Sequence, residues 1–257
     1  MVGIWRQRGS GRVVSDRGES LARLHRELRE LILHGDFLPS APISQVSLAR
    51  AMGVSRTPLR EALRMLQEEG LITSEPNHRM RVASLDPEEL DSLYSVRVLL
   101  EAHGTALTVP RLSAADTDAL RAAIAEMHDA QARRDVDGWE APHRRFHGIL
   151  VAATSASLRS LIASHSDRAE RYRRTYFSRQ PRAWAAKEDE HLEILDACVA
   201  GDASLAASRV ATHLAKTALT LMTIIAPERE PIAVRTALGL IVHDGGAPGA
   251  GRRGASA

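Results

Sequence analysis

The sequence predicts a mainly α protein in two parts: three short helices closed by a β-hairpin, then a larger antiparallel bundle of helices. Three observations predict it. Two helical patterns flank a break at Gly53 and are followed by two short apolar strands. From Asp86 onward the chain reads as long amphipathic helices. The breaks between those helices are short, which implies antiparallel neighbours.

The elements follow in order. Residues 1–18 are Arg- and Gly-rich and read as a disordered arm. A helix is expected from Glu19 to His34, with Leu21, Leu24, Leu28, Leu31 and Ile32 on one stripe. Gly35 ends it as a C-cap. Pro39 and Pro42 mark an extended loop. Ser44 caps a short helix over Gln45–Met52, and Gly53 breaks it. Ser55 caps a longer helix that tolerates Pro58 in its first turn and carries Leu59, Leu63 and Leu66 as its apolar stripe. Gly70 closes that helix. Leu71–Thr73 and Met80–Ala83 form two strands around a polar turn at Pro76–Arg79. Together these elements make a winged helix-turn-helix.

Asp86-Pro87-Glu88-Glu89 is a helix start: a cap, a proline at the first position and acids in the first turn. Helices are expected over 86–108, 113–133, 137–154, 157–177, 182–200 and 202–225. After Pro227 the pattern weakens. The expected organisation is an arm (1–18), a winged helix-turn-helix domain (19–83), a helical domain (84–227) and a largely flexible extension (228–257).

Composition narrows the function classes. The chain has 257 residues, 44% hydrophobic and 26% charged, an ordinary globular balance. A net charge of +2 excludes a histone-like polycation and an acidic tail protein. Lys187 and Lys216 are the only lysines, so the basic charge is almost all Arg. The lone Cys198 excludes an internal disulfide and a Cys-based zinc site. No apolar run approaches the ~20 residues of a membrane span, and the N-terminus lacks an apolar signal core. A cytoplasmic protein with no membrane partner is expected.

Residues 53–71, GVSRTPLREALRMLQEEGL, carry the most specific pattern. Ser55, Arg56, Thr57 and Arg60 gather two guanidinium forks and two hydroxyls at one helix N-terminus. Free backbone N–H groups there favour phosphate. Recognition helices set such N-terminal residues against base edges, where Arg pairs with guanine. A solvated Arg-rich surface helix is the alternative from these residues alone.

This segment resembles the signature of the GntR family of bacterial transcription regulators, as do LRELILHGDFLP (Leu28–Pro39) and GLITSEPNHRMRV (Gly70–Val82) around it. The order of elements over 86–225 is similar to the FadR-type branch, whose helical ligand-binding domain is called FCD. RVLLEAHG (Arg97–Gly104), HRRFHGIL (His143–Leu150), EHLEILDA (Glu190–Ala197) and ATHL (Ala211–Leu214) fall at its landmarks. Two departures stand out. The family usually has Pro-Gly where this chain has Pro39-Ser40, and a wing glycine where it has Arg79. A bulkier wing tip still lets Arg79 enter the minor groove, since narrow A·T grooves attract Arg; alternatively the wing hairpin is reshaped. His78 and Arg79 are therefore DNA contacts secondary to Arg56, Thr57 and Arg60.

His143 and His147 lie four apart on one helix, so both imidazoles share a face. His191 and His213 sit among apolar residues on later helices. Inward side chains from different helices of a bundle can converge on one ion; equally, eleven histidines scatter through an Arg-rich chain. The resemblance implies a divalent metal held by His147, His191 and His213, with His143 standing where the family has Asp. An all-imidazole set suits zinc or nickel better than manganese or magnesium. Arg97 stands four before Glu101. That spacing reads as an exposed ion pair, whereas the resemblance implies an Arg that holds the effector's carboxylate. Arg168, Arg171, Tyr172 and Tyr176 fall near the effector cavity by resemblance, although a solvated face is the plainer reading for most of them.

The expected function is therefore a ligand-responsive DNA-binding regulator, not an enzyme. It would be a homodimeric repressor, released from an inverted-repeat operator by a small organic acid. A metal-dependent hydrolase or lyase using the histidine cluster is the alternative. No nucleophile, carboxylate pair or phosphate loop accompanies the histidines to support it.

Overall fold

The computed structural model describes residues 17–33, 35–75, 79–179 and 188–242. Its elements are α1 (Arg17–Leu33), β1 (Pro42–Ile43), α2 (Gln45–Met52), α3 (Arg56–Glu68), β2 (Ile72–Glu75), β3 (Arg79–Val82), α4 (Pro87–Thr108), a 3₁₀ turn (Val109–Arg111), α5 (Ala114–Ala132), α6 (Val136–Leu150), α7 (Ala156–Arg179), α8 (Glu188–Val199), α9 (Ala203–Ile225) and α10 (Ile232–Val242). They divide into two compact units. One runs to Asp86 and includes the second half of α7 from Ser166; the other holds α4–α6, the first half of α7 and α8–α10.

The first unit is a winged helix-turn-helix. Leu24, Leu28 and Ile32 of α1 pack with Leu59, Leu63 and Leu66 of α3 into one apolar core. Ser44 caps α2, accepting a hydrogen bond from the Ser47 amide at 3.3 Å. Gly53 ends α2 at φ 65°, a left-handed turn that glycine adopts without a Cβ penalty. The wing is a three-stranded antiparallel sheet in the order β1-β3-β2, with Ile72 opposite Val82 and Ile43 opposite Met80. The sequence marked Pro39–Pro42 only as extended. The structure adds β1, because the amide of Val82 finds its acceptor in the Ala41 carbonyl at 3.0 Å.

The second unit is an all-helical bundle. α4 packs mainly against α9 and also against α10, α5 lies on α6, and α8 lies on α9 and α5. Gly104 sits where a Cβ would come within 2.8 Å of Val151, so its absence lets α4 approach the C-terminal end of α6. Asp135 caps α6 through the Gly138 amide at 2.8 Å. Pro142 lies inside α6, which continues to Leu150. No helix among the described residues is long and apolar enough to cross a membrane.

Three expectations need correction. The extension after residue 227 is not simply flexible: α10 occupies Ile232–Val242, and 243–257 lie outside the described residues. Its first-turn amides are capped from a distant helix, with Asp91 accepting from Ala233 (3.0 Å) and Val234 (2.9 Å). The expected arm largely lies outside the described residues, but α1 already starts at Arg17. The second half of α7 is not a solvated face: Glu170, Arg171, Tyr172, Arg173 and Arg174 are all buried. Two of its charges have partners: Arg174 pairs with Glu170 at 2.8 Å, and Asp167 with Arg29 of α1 at 2.8 Å. Tyr172 donates to the Asp86 carbonyl at 3.2 Å. Arg168 is half-buried, and the Tyr176 side chain lies outside the described residues.

Candidate DNA interface and candidate metal centre

In the first unit, α3 divides its residues between two tasks. Leu59, Ala62, Leu63 and Leu66 are buried, while Ser55, Arg56, Thr57 and Arg60 are exposed. Ser55 holds the N-cap position, yet its hydroxyl makes no capping hydrogen bond. Arg56 and Arg60 have no acidic partner among the described residues. Arg64, a turn later, is by contrast engaged by Glu61 and Glu68 on the same helix. The N-terminal turn thus presents two uncompensated guanidinium groups, a free hydroxyl and the positive end of the helix dipole, a combination suited to a polyanion. His78 lies outside the described residues, and only the backbone of Arg79 is described, at the start of β3.

In the second unit, four histidines from three helices converge. His143 and His147 come from α6, His191 from α8 and His213 from α9. All four are buried, and one ring nitrogen from each lies within 4.8 Å of the others. Ring centroids are 4.6 Å apart for His143–His147 and 4.5 Å for His191–His213. Trp139 stacks on His143 at 4.3 Å, one turn earlier on α6. Pro142 does not turn the His143 ring away.

The geometry fits a metal. Nitrogens sharing one ion at ~2.1 Å lie at most ~4.2 Å apart, so the rings need to draw in by only about half an ångström. Carboxylates stand behind the rings, in the usual manner of metal-binding histidines. Glu101 Oε2 meets His147 Nδ1 at 2.8 Å, and Glu190 Oε2 meets His213 Nδ1 at 2.8 Å. These contacts reserve each Nδ1 for the carboxylate and leave Nε2 as the ligand atom. Glu140 lies 3.9 Å from His143 Nδ1.

Arg97 and Glu101 are paired at 2.7 Å, as an i, i+4 spacing predicts, but the pair is buried rather than exposed, at 1% accessibility each. Burial opposes ionisation of Glu101; the Arg97 guanidinium and His147 outweigh it and bring its pKa down to about 2. Glu190 is likewise held below its ordinary value, with burial opposed by His213 and Lys216. Two buried polar atoms remain on the same face of α4: Arg97 Nη2 and the Tyr94 hydroxyl have no hydrogen-bond partner among the described residues. Arg97 Cζ lies 5.1 Å from the centre of the Tyr94 ring. Sequence reasoning missed Tyr94, Glu140 and Glu190. Glu190 beside His191 was the only one with a visible signal, an acid adjacent to a candidate ligand.

Both the N-terminal and the helical part of the chain match known families. Residues 21–82 match the model for bacterial regulatory proteins of the gntR family, and residues 92–216 match the FCD domain. An uncharacterised helix-turn-helix regulator from the ttuE–ttuC′ intergenic region of Agrobacterium vitis is 34% identical over 149 residues, covering 57% of this chain and 86% of that protein. The transcriptional repressor GlaR of Escherichia coli is 28% identical over 198 residues, covering 74% of this chain and 90% of its own. The solved structure of a GntR regulator from Rhodococcus superposes with a TM-score of 0.70 at 25% identity, over 79% of this chain and 98% of that one. A hydrolase or lyase reading of the histidines is thereby set aside. The chain belongs to the GntR family of bacterial regulatory proteins, in its FadR-type branch: it is a DNA-binding transcription regulator with a C-terminal FCD domain, not an enzyme.

Proposed function

We propose that the protein is a homodimeric repressor that leaves an inverted-repeat operator when a small carboxylate binds its helical domain. Two-fold symmetric helix-turn-helix dimers read two half-sites one helical turn or a multiple apart. Ser55, Arg56, Thr57 and Arg60 make the major-groove contacts, with His78 and Arg79 at the wing. Repression is supported by the relative GlaR, which carries it in its name. Since the operator is bacterial chromosomal DNA, the protein works in the cytoplasm.

The observation that carries the effector reading is the buried pair of partnerless groups on α4. A guanidinium nitrogen and a phenol hydroxyl, both inside the bundle, suit an anion that accepts from each. His143, His147, His191 and His213 hold zinc or nickel beside them. Bound there, the metal supplies positive charge that neutral imidazoles do not cancel, and so favours an anionic ligand over a neutral one. Arg97 and Tyr94 orient that ligand, and Glu101 and Glu190 hold the rings. Effector binding favours a state of the dimer with lower operator affinity.

A thermal-shift screen of small organic acids against metal-loaded protein tests this. An acid that raises the melting temperature is expected also to release the protein from its operator, and Arg97→Ala is expected to abolish release while leaving DNA binding intact. An Arg97→Ala protein released at the wild-type effector concentration overturns the assignment.

A further inference from the structure

Glu101 is a carboxylate that touches both halves of this site. Its Oε1 takes Arg97 Nε at 2.7 Å, and its Oε2 takes His147 Nδ1 at 2.8 Å. All three side chains are buried. Glu190 is the natural contrast. It also holds a ring, His213, but its other oxygen goes to Lys216, whose side chain is 56% exposed. Water screens that second contact, whereas in the low-dielectric interior the first path stays strong.

We propose that Glu101 is a positioning residue that couples the anion anchor Arg97 to the metal ligand His147. This rests on the metal reading above. A carboxylate divides its charge between its two partners. Arg97 draws charge toward Oε1 and so weakens the hold of Oε2 on the His147 N–H. Less charge behind the ring makes its Nε2 a weaker ligand. An anion seated on Arg97 reverses this, because the guanidinium then shares its charge with a second acceptor. Anion binding thus tightens metal binding, and by linkage the metal tightens the anion by the same factor. The two ligands act as one signal because a single side chain joins their sites.

The test is a double-mutant cycle on the full-length chain, stripped of metal and titrated with Co²⁺ against a chromophoric chelator. Glu101→Gln is expected to lose 10- to 100-fold in Co²⁺ affinity. Arg97→Met is expected to bind Co²⁺ several-fold more tightly than wild type, since Glu101 then serves His147 alone. The Arg97 effect is expected to vanish in the Arg97→Met, Glu101→Gln double variant and to persist beside Glu190→Gln. A packing role would weaken binding in both single variants, so their opposite signs identify the coupling. If Glu101→Gln does not fold, Glu101→Asp replaces it, being too short to span both partners. Arg97→Met that weakens Co²⁺ binding, or effects that add in the double variant, overturn the coupling alone. Wild-type protein that takes up no Co²⁺ overturns the metal reading and the coupling with it.

Discussion

The N-terminal turn of α3 and the histidine cluster solve opposite problems. On α3 the side chains proposed to read DNA are exposed, and the fold is carried by different residues: Leu59, Ala62, Leu63 and Leu66 pack while Arg56 and Arg60 face solvent. In the bundle the proposed metal ligands and anion anchor are themselves part of the interior. His143, His147, His191, His213, Arg97 and Glu101 are all buried. Buried polar groups cost free energy unless they are paired or bind a ligand. Function and stability are therefore separable in the first region and joined in the second.

The largest expected effect tests the joined region. An ion that binds only the folded bundle stabilises it by mass action, about 4 kcal/mol when free metal exceeds Kd a thousandfold. For a chain of this size that is roughly 10 °C in melting temperature. Calorimetry with and without zinc or nickel, on protein freed of metal by a chelator, measures it. An unchanged melting temperature on reloading would separate function from stability here too, and the contrast would fall.

The separable region predicts a loss of binding with no loss of fold. Arg56→Ala is expected to weaken operator binding by about 1–3 kcal/mol. Its unfolding free energy should stay within the ~0.5 kcal/mol range of ordinary surface substitutions. Arg64→Ala sharpens the point: its guanidinium is engaged by Glu61 and Glu68, so it should lose less affinity than Arg56→Ala. Fluorescence anisotropy on a labelled operator, at one fixed salt concentration, compares the two. Equal losses would mean that α3 attracts DNA by general charge and not through its N-terminal turn.

A third effect is smaller and lies at the edge of the bundle. Asp91→Ala removes the acceptor of two α10 amides and should cost about 1–2 kcal/mol, the typical worth of a helix cap. Hydrogen exchange should show the loss concentrated in Ile232–Val242. Protection lost evenly through the bundle would instead make Asp91 part of its common core.

The same contrast explains what was legible in the sequence. Features set by neighbours along the chain could be read: the Ser44 cap, the Gly53 break, the apolar stripe of α3 and the His143–His147 pair on one face. Features set by convergence of distant segments could not. Spacing alone does not bring His191 and His213 to the His143–His147 pair; resemblance to a family supplied that expectation. Glu190 and Tyr94 gained a role only from what α8 and α4 pack beside. The helix α10 was missed because its cap comes from Asp91, far along the chain. The i, i+4 rule found the Arg97–Glu101 pair but misjudged its surroundings: polar and apolar residues are mixed around α4, so its periodicity does not say which polar pair faces inward.

The smallest predicted effect is a gain, and it belongs to the separable region. Ser40 has φ 63°, in the left-handed region that favours glycine and costs other residues roughly 1 kcal/mol or more. The fold holds it there: its amide donates to the Val82 carbonyl at 3.0 Å, and its carbonyl accepts from Arg81 at 3.0 Å. Those contacts, one from the Val82 carbonyl and one from the Arg81 guanidinium, join the loop before β1 to β3 and do not depend on the Ser40 side chain, which is exposed. Ser40→Gly should therefore keep both contacts and relieve the strain. Part of the gain is offset, because glycine is more flexible in the unfolded chain. A net stabilisation of about 0.5–1 kcal/mol is expected, read as a higher urea midpoint with an unchanged slope. Metal affinity and operator affinity should both stay at wild-type values, since Ser40 belongs neither to the histidine cluster nor to the first turn of α3. A loss of stability would show that the serine side chain supports the loop. A change in operator affinity would place the β1 loop within the DNA-reading surface, and stability and function would then be joined in this unit as well.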